Sequence, residues 1–322
     1  MLEKICRNCG STEVAIIEKG CDLDPFVAYR VFGLRTAGHA TRTRLKAGKK
    51  LQLIDRILCG SLSHLAKYCI ETEVSSWTVI DAMICHACEF YSVYYPFTDS
   101  MLASMYHDYR SDTYFQDWEE FHPGYIDSVG RYIGGGEEAA KRLLSMNAYL
   151  NRMSAANIVP MEGIQSILDW GGSDGIMLPD VFPQAKRYVY DISDKKPGNQ
   201  VTKLKTMDPQ EKFDYIQITH VLEHVFHPFK FLQSPVAHLQ PHGLLYLEVP
   251  LECDANGLIP KVLGNEQRLW AHEHINRFTP LALRSLVEST GLRVLDLTQE
   301  TIDFFWCKGP CLRLLATPSP SP

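Results

Sequence analysis

The stretch IQSILDWGGSDG, residues 164–175, decides how the second half of this chain folds. An apolar run that stops at a cluster of glycines is typical of a buried strand followed by a tight turn. Glycines also let the backbone come close to a bound molecule, because they carry no side chain. The stretch therefore predicts a strand that ends at a ligand.

After this stretch, strand-like and helix-like segments alternate along the chain. A helix is expected to begin within 175–183, and two final strands are expected to be joined by a turn at Lys308-Gly309-Pro310. The alternation predicts an α/β fold, with a doubly wound sheet and an antiparallel edge pair. The other predicted strands are 186–193, 201–204, 212–220 and 242–250, and the other predicted helices are 225–240 and 279–291.

Asp191 follows the second predicted strand, about twenty residues after the glycine cluster. Ligands of doubly wound sheets bind at the carboxyl ends of the strands, and a carboxylate at this place accepts hydrogen bonds from both hydroxyls of a ribose. The two features together predict a nucleotide-type ligand. The spacing Asp169-x-Gly171-x-Ser173-x-Gly175 differs from the GxGxxG fingerprint, which argues against an NAD-dependent dehydrogenase.

This loop resembles the first motif, D/E-x-G-x-G-x-G, of class I S-adenosylmethionine-dependent methyltransferases, with Ser173 at the central glycine. FDYIQITHVLEHVFHP (213–228) and HINRFTPLALRSLVESTGLRVL (274–295) are similar to two later segments of these enzymes. The resemblance implies that S-adenosylmethionine is the cofactor; for Asp174 it leaves open whether the side chain contacts the ligand or caps a helix. It assigns the cofactor to Asp169, Gly171, Gly172, Ser173, Asp174, Gly175, Asp191, Ile192 and His220.

Two C-x2-C pairs in the first half predict a zinc site. They are Cys6 with Cys9 and Cys85 with Cys88, and four thiolates form a closed tetrahedral site of structural character. Because the chain starts without an apolar signal segment, we expect a cytoplasmic protein whose ten cysteines are reduced thiols or metal ligands. Alternative ligands are Cys21, Cys59, Cys69 and His86.

Changes in composition and patterning along the sequence predict that the chain has four parts. These are a zinc-binding domain (1–100), a helical linker or lid (101–155), the cofactor-binding domain (156–316) and a disordered tail (317–322). A basic insertion at about 30–75 is interpreted as a solvated arm or as a phosphate-binding arm. Its stretch RTAGHATRTRLKAGKK has no aromatic residues, which argues against single-stranded RNA as its ligand.

The zinc pattern and YPFTDSMLASMYHDY (95–109) resemble the sugar C-methyltransferases, which implies a nucleotide-linked sugar as acceptor. A polyketide, peptide or other natural product is the alternative acceptor. An RNA-associated protein and a non-catalytic cofactor-binding subunit are the alternatives from other classes. The net charge of −6 gives no general attraction to nucleic acid or to an anionic membrane. No apolar stretch approaches the length that spans a membrane.

Transfer of a methyl group to a hydroxyl or an acidic carbon requires that a proton be removed. We predict His224 as the general base, since histidine suits this task near neutral pH, and Glu223 as the group that orients it or binds a substrate hydroxyl. A purely structural role of this pair stays open. His272 and His274 are predicted to bind the acceptor rather than a second metal. Tyr109 is expected in a lid together with Tyr106 and Tyr114.

Overall fold

The computed structural model describes residues 4–33, 78–109, 111–127, 136–159, 162–193, 195–252, 269–271, 273–304 and 308–319. The basic stretch 35–50, the candidate ligands Cys59 and Cys69, and the predicted acceptor residue His272 lie outside these residues. Within the described part, no helix combines the length and the hydropathy that crossing a bilayer requires.

Strands and helices follow one another along the described part of the chain. From the amino end they are β1 (Val14–Leu23), α1 (Pro25–Phe32), β2 (Thr78–Cys85), β3 (Tyr91–Val93), α2 (Asp99–Met105), α3 (Asp112–Phe121), α4 (Gly136–Ala155), β4 (Ser166–Trp170), β5 (Lys186–Tyr190), β6 (Val201–Leu204), β7 (Phe213–Thr219), α5 (Pro228–Ala237), β8 (Leu239–Pro250), β9 (Leu269–Ala271), β10 (Asn276–Arg277), α6 (Pro280–Ser289), β11 (Leu292–Asp303) and β12 (Lys308–Pro318).

The larger sheet confirms the predicted α/β fold. Its seven strands have the order β11-β12-β8-β7-β4-β5-β6. The central strands pair in parallel, whereas β12 is antiparallel to both β8 and β11. The sheet is therefore mixed, and the carboxyl ends of β4, β5 and β7 meet at one edge.

Two local predictions are wrong. Residues 175–183 form successive turns and no helix, because Pro179 lacks an amide hydrogen and restricts the residue before it. The Lys308-Gly309-Pro310 segment is the start of β12, where Lys308 pairs with Asp303, so the connection of the hairpin lies before it.

The predicted start of α6 is confirmed at its cap. The Thr279 hydroxyl accepts a hydrogen bond of 3.1 Å from the Ala282 amide, and Pro280 occupies the first turn. The helix predicted over 225–240 is present as α5 and includes Pro235, but it runs only from Pro228 to Ala237. Thr317 and Pro318 are the last residues of β12.

The smaller sheet has the order β10-β3-β2-β1-β9. β1 and β2 form an antiparallel pair in which Val14 lies opposite Cys85. β9 and β10 belong to the chain segment between β8 and α6, so the second half of the chain supplies both edges of this sheet. Helices α1 and α3 contribute a cluster of aromatic rings, in which Phe26 stacks on Trp118 with centroids 4.1 Å apart.

A buried group of charges lies between α4 and the larger sheet. Glu248 on β8 accepts hydrogen bonds from Arg313 Nε (3.0 Å), Tyr246 (2.8 Å) and Arg142 (3.2 Å). Although burial opposes ionisation, the neighbouring His220 and the two arginines hold the pKa of Glu248 below its usual range. Arg313 is fully buried and also contacts Ser145 of α4 at 3.1 Å. These bonds fix α4 and β12 against β8.

We predict that Arg313→Leu lowers the free energy of unfolding in urea by about 3–5 kcal/mol, because Glu248 is left buried with less compensation. Arg284→Leu is the matched control, since Arg284 pairs with Glu288 at 3.3 Å on the surface. This control is expected to lose less than about 1 kcal/mol. Equal losses in the two variants would contradict the role of the buried charges.

Candidate functional site

The glycine-rich loop after β4 is held in conformations that favour glycine. Gly171, Ser173 and Gly175 have φ of +82°, +58° and +73°. A Cβ at Gly172 would lie 2.0 Å from the Asp169 carboxyl carbon, and one at Gly171 would lie 2.7 Å from Val221. The loop therefore leaves no room for side chains on its inner side. Ser173 adopts the left-handed conformation with a small side chain in place of the expected glycine.

Two predicted carboxylates flank this loop in different ways. Asp191, after β5, accepts hydrogen bonds from the Ser173 amide (2.9 Å) and the Ser193 amide (2.7 Å), so it joins two strand ends. Asp169 is fully buried, and neither of its carboxyl oxygens has a hydrogen-bond partner of regular geometry among the described residues. Burial raises the pKa of Asp169 to about 7. Within the described part of the chain, Gln217 is the one side-chain donor that acts on the Asp169 pKa, so this buried carboxylate beside the glycine loop can take a further polar or cationic partner.

Asp174 lies within the glycine-rich loop, and Ile192 lies after β5; both are predicted cofactor-binding residues. Asp174 accepts a hydrogen bond of 3.2 Å from the Ile176 amide and pairs with Lys195 at 3.3 Å. The Asp174 side chain thus caps a turn, in place of the helix that was expected there. Ile192 follows Asp191 and is 90% exposed, so its side chain is accessible to a ligand.

His220 follows β7 with φ of +53°. Its Nδ1 lies 3.3 Å from Glu223, and its Nε2 lies 3.2 Å from Glu248. Burial disfavours the imidazolium, but hydrogen bonds with Cys311 and the two carboxylates raise the pKa of His220 well above its ordinary value. His220 therefore connects the buried charges under the sheet with the residues that follow β7.

Glu223, His224 and His274 form a cluster after β7, with one ligand atom from each within 4.8 Å of the others. Glu223 is fully buried, and its Oε2 has no hydrogen-bond partner among the described residues. Burial opposes ionisation, but the hydrogen bond with His220 and the charge of its imidazolium lower the pKa of Glu223 to about 2, so it is a carboxylate. The three side chains are a possible donor set for a divalent metal, and they equally suit proton transfer.

Several aromatic and acidic side chains support this cluster. His224 Nδ1 lies 2.7 Å from the Tyr106 hydroxyl, and His274 Nδ1 lies 2.9 Å from Glu252. The predicted lid residue Tyr109 is 41% exposed and meets the Tyr106 ring edge to face at 5.7 Å. Sequence reasoning did not find Glu252 or Glu248, although both acids lie at the carboxyl end of a central strand, which is a usable signal.

The four predicted zinc ligands lie together, with Cys85 at the end of β2. Cys6 and Cys88 have their sulfurs 3.8 Å apart, and those of Cys9 and Cys85 are 3.7 Å apart. All four sulfurs lie within 4.8 Å of one another. A tetrahedral zinc ion with Zn–S bonds of about 2.3 Å separates its sulfurs by about 3.8 Å. The cluster has this size.

Comparison with known proteins identifies the cofactor-binding half. A family of methyltransferase domains matches residues 137–297, which is half of the chain. The chain belongs to this family and is a class I S-adenosylmethionine-dependent methyltransferase. No match is found among curated proteins.

Solved structures of methyltransferases are similar to the chain in fold. Magnesium protoporphyrin IX methyltransferase from Synechocystis PCC 6803 is 18% identical with a TM-score of 0.45, and the match covers 67% of this chain and 99% of that chain. The 1,6-didemethyltoxoflavin-N1-methyltransferase from Burkholderia thailandensis is 16% identical with a TM-score of 0.45, covering 71% and 95%. The plantazolicin methyltransferase is 13% identical with a TM-score of 0.40, covering 62% and 91%.

We predict that Asp169→Asn changes how the stability of the ligand-free protein depends on pH. The folded state keeps the Asp169 proton up to about pH 7, whereas the unfolded state loses it near 3.8. The protonated Asp169 therefore makes its full contribution to stability below the pKa of the unfolded state, and this contribution is lost as the pH rises to about 7. The melting temperature of the variant should rise relative to that of the wild type between about pH 4 and pH 7, and the difference should stay constant above pH 7.

The exposed Glu162→Gln variant is the control for this series, and its melting curves should follow the wild type at every pH. A constant difference between Asp169→Asn and the wild type across the range would show that the Asp169 proton is not held by folding.

Proposed function

We propose that this methyltransferase transfers the methyl group of S-adenosylmethionine to a small, hydroxyl-rich acceptor, preferably a sugar or a nucleotide-linked or glycan sugar. The observation that carries the proposal is the placement of the Glu223–His224–His274 cluster after β7, the strand that pairs with β4 beside the glycine loop. A cofactor in the loop and an acceptor on the cluster would then lie side by side.

The loop residues fit the cofactor. Asp191 offers a carboxylate to the ribose, and the exposed Ile192 offers an apolar surface to the adenine. Asp169, beside the glycines, supplies negative charge toward a cationic amino acid. His220, Asp174 and the loop residues Gly171, Gly172, Ser173 and Gly175 complete the proposed binding set. The chemistry and the positions of these residues support the proposal.

When bound, S-adenosylmethionine supplies a methyl carbon on a sulfonium, which is already a good leaving group. Held by the glycine loop and Asp191, it would give this carbon to the acceptor oxygen or carbon, and its sulfur would keep the electron pair of the broken carbon–sulfur bond. His224 takes the proton that the acceptor loses, and the Glu223 carboxylate stabilises the imidazolium that results. The chain must also align the two reactants, for which His274, His272 and Tyr109 are the proposed acceptor contacts.

The polarity of the cluster favours a sugar over an apolar acceptor. Glu223 is an ionised carboxylate with a buried, orphaned oxygen, and such an atom needs a hydrogen-bond donor. Hydroxyl groups are the donors that a sugar has in number. A polyketide or peptide intermediate with a hydroxyl or amide remains the alternative acceptor.

We also propose that Cys6, Cys9, Cys85 and Cys88 bind a structural zinc ion. The Asn8 side chain donates to the Cys88 sulfur at 3.6 Å and to the Ala282 carbonyl of α6 at 2.8 Å, so it links the cluster to the methyltransferase half. A closed set of four thiolates leaves no open position, and the ion would stabilise the fold without taking part in catalysis.

The proposed function predicts that the protein binds S-adenosylmethionine and does not bind NAD in titration calorimetry. Asp191→Asn should weaken S-adenosylmethionine binding about a hundredfold, since two hydrogen bonds to a charged acceptor are impaired. His224→Gln should bind the cofactor normally and lose methyl transfer, measured with labelled cofactor and a panel of nucleotide-linked sugars and glycans.

Asp208→Asn, on the surface, is the control and should match the wild type in both assays. Binding of NAD alone, or of neither ligand, would overturn the proposed function. Normal turnover by His224→Gln would overturn the role of His224 alone. Cofactor binding without turnover on any acceptor would favour a non-catalytic subunit.

The zinc proposal predicts one zinc ion per chain by elemental analysis of the purified protein. Cys88→Ser should lose the ion and lower the melting temperature, because binding of the metal stabilises only the folded state. Cys21→Ser is the matched control, since Cys21 is buried in the same sheet outside the cluster, and it should keep the ion. A metal-free protein with a sharp unfolding transition would contradict the proposal.

A further inference from the structure

The protons around His224 can be placed from its neighbours. His224 Nδ1 lies 2.7 Å from the Tyr106 hydroxyl oxygen and 3.1 Å from the Glu273 carbonyl oxygen. The hydroxyl oxygen is itself 3.1 Å from the same carbonyl. The three atoms form a triangle. A peptide carbonyl has no hydrogen to donate, so it must be an acceptor in both of its contacts.

A hydrogen on Nδ1 is what satisfies all three contacts of this triangle. If Nδ1 carried a lone pair, it would accept the Tyr106 hydrogen, and the Glu273 carbonyl would face two lone pairs with no hydrogen between them. If Nδ1 carries the hydrogen, it donates to the Tyr106 oxygen, and Tyr106 donates to the carbonyl. Tyr106 keeps its hydrogen at any ordinary pH, because burial raises the pKa of its phenol well above the usual value.

We propose that Tyr106 is a positioning residue, which together with the Glu273 carbonyl holds neutral His224 with its hydrogen on Nδ1. Nε2 then carries the lone pair. Nε2 is the nitrogen on the side of Glu223, 3.9 Å from its Oε1. The inference rests on the proposed function and deepens it, since it names Nε2 as the atom that takes the acceptor's proton.

The proton balance follows from this arrangement. The acceptor's proton moves to His224 Nε2, and the acceptor's electron pair forms the new bond to the methyl carbon. In the imidazolium, the Nδ1 hydrogen stays hydrogen-bonded to the Tyr106 oxygen. The new hydrogen on Nε2 faces the Glu223 carboxylate. Neither hydrogen has to be rearranged before the next turnover, once Nε2 has released its proton.

His274 shows the same arrangement with a different partner. Its Nδ1 lies 2.9 Å from the Glu252 carboxylate, which also contacts Arg277, and a carboxylate only accepts. This contact places a hydrogen on Nδ1, so the neutral ring has its lone pair on Nε2, and burial, which lowers the pKa of His274, favours the neutral form. The His224 and His274 rings meet edge to face at 4.7 Å. The cluster thus presents two unprotonated nitrogens and a carboxylate to an acceptor that donates hydrogens.

The direct test is nitrogen NMR of the full-length protein labelled with ¹⁵N-histidine. His224→Gln identifies the His224 signals by their loss. In the neutral form we expect the Nδ1 signal at the position of a protonated ring nitrogen and the Nε2 signal at that of an unprotonated one. The opposite tautomer in the wild type would overturn the inference.

Tyr106→Phe tests the role of the hydroxyl. The variant removes the 2.7 Å contact and keeps the longer one to the Glu273 carbonyl, so the hydrogen on Nδ1 is held less strongly and the other tautomer should become detectable. The titration of His224 should move to lower pH, because its cation loses an acceptor. Tyr95→Phe is the matched control, since Tyr95 packs against Phe32 and Phe97 away from the cluster, and its spectra should match the wild type.

An unchanged tautomer and titration in Tyr106→Phe would overturn the positioning role. With an active acceptor, the same variant should lose about tenfold in kcat with little change in KM. The NMR readout requires neither cofactor nor acceptor. Failure to bind S-adenosylmethionine would therefore overturn the proposed function, whereas a hydrogen on Nε2 would overturn the tautomer.

Discussion

The carboxylate of Glu248 is the point on which the methyltransferase half depends. A charge that is removed from water must be compensated by its neighbours. Here the compensation comes from Arg313 on β12, Arg142 on α4, Tyr246 on β8 and His220 after β7. One charge therefore fixes the β11–β12 hairpin, α4 and the segment after β7 relative to β8.

The charges continue from this point into the site. His220 lies between Glu248 and Glu223, and Glu223 lies between His220 and His224. Acidic and basic groups alternate along this row, so each is stabilised by the next. The position of His224 is thus coupled to the packing of α4 and β12. A change in the buried charges should therefore alter the chemistry of the site as well as the stability of the fold.

The fold was predictable where short stretches of sequence carry the whole signal. The strand at 201–204 and the cap at Thr279 are examples, because each depends on neighbouring residues only. The hairpin turn was misplaced because Lys308 pairs with Asp303, and pairing across a long hairpin is a tertiary effect. The helix expected within 175–183 failed for a local reason, the restriction that Pro179 imposes, which the periodicity concealed.

The site was predictable only in part, for a related reason. Motif spacing indicated the loop, Asp191 and the pair Glu223 and His224, all of which follow strand ends. It could not show that Asp191 accepts from the Ser173 amide, since that depends on the folded loop. The pairing of Tyr106 with His224 joins residues 118 positions apart, and no periodicity reports such a contact.

The two sheets share one length of chain. Between β8 and α6 the chain leaves the larger sheet, pairs with Cys21–Leu23 through β9 and with Tyr91 and Ser92 through β10, and then returns. A first half separated from these strands would have two open edges, each a template for pairing with another chain. A piece that gene fusion or recombination moves intact must therefore include both sheets and the segment between β8 and α6.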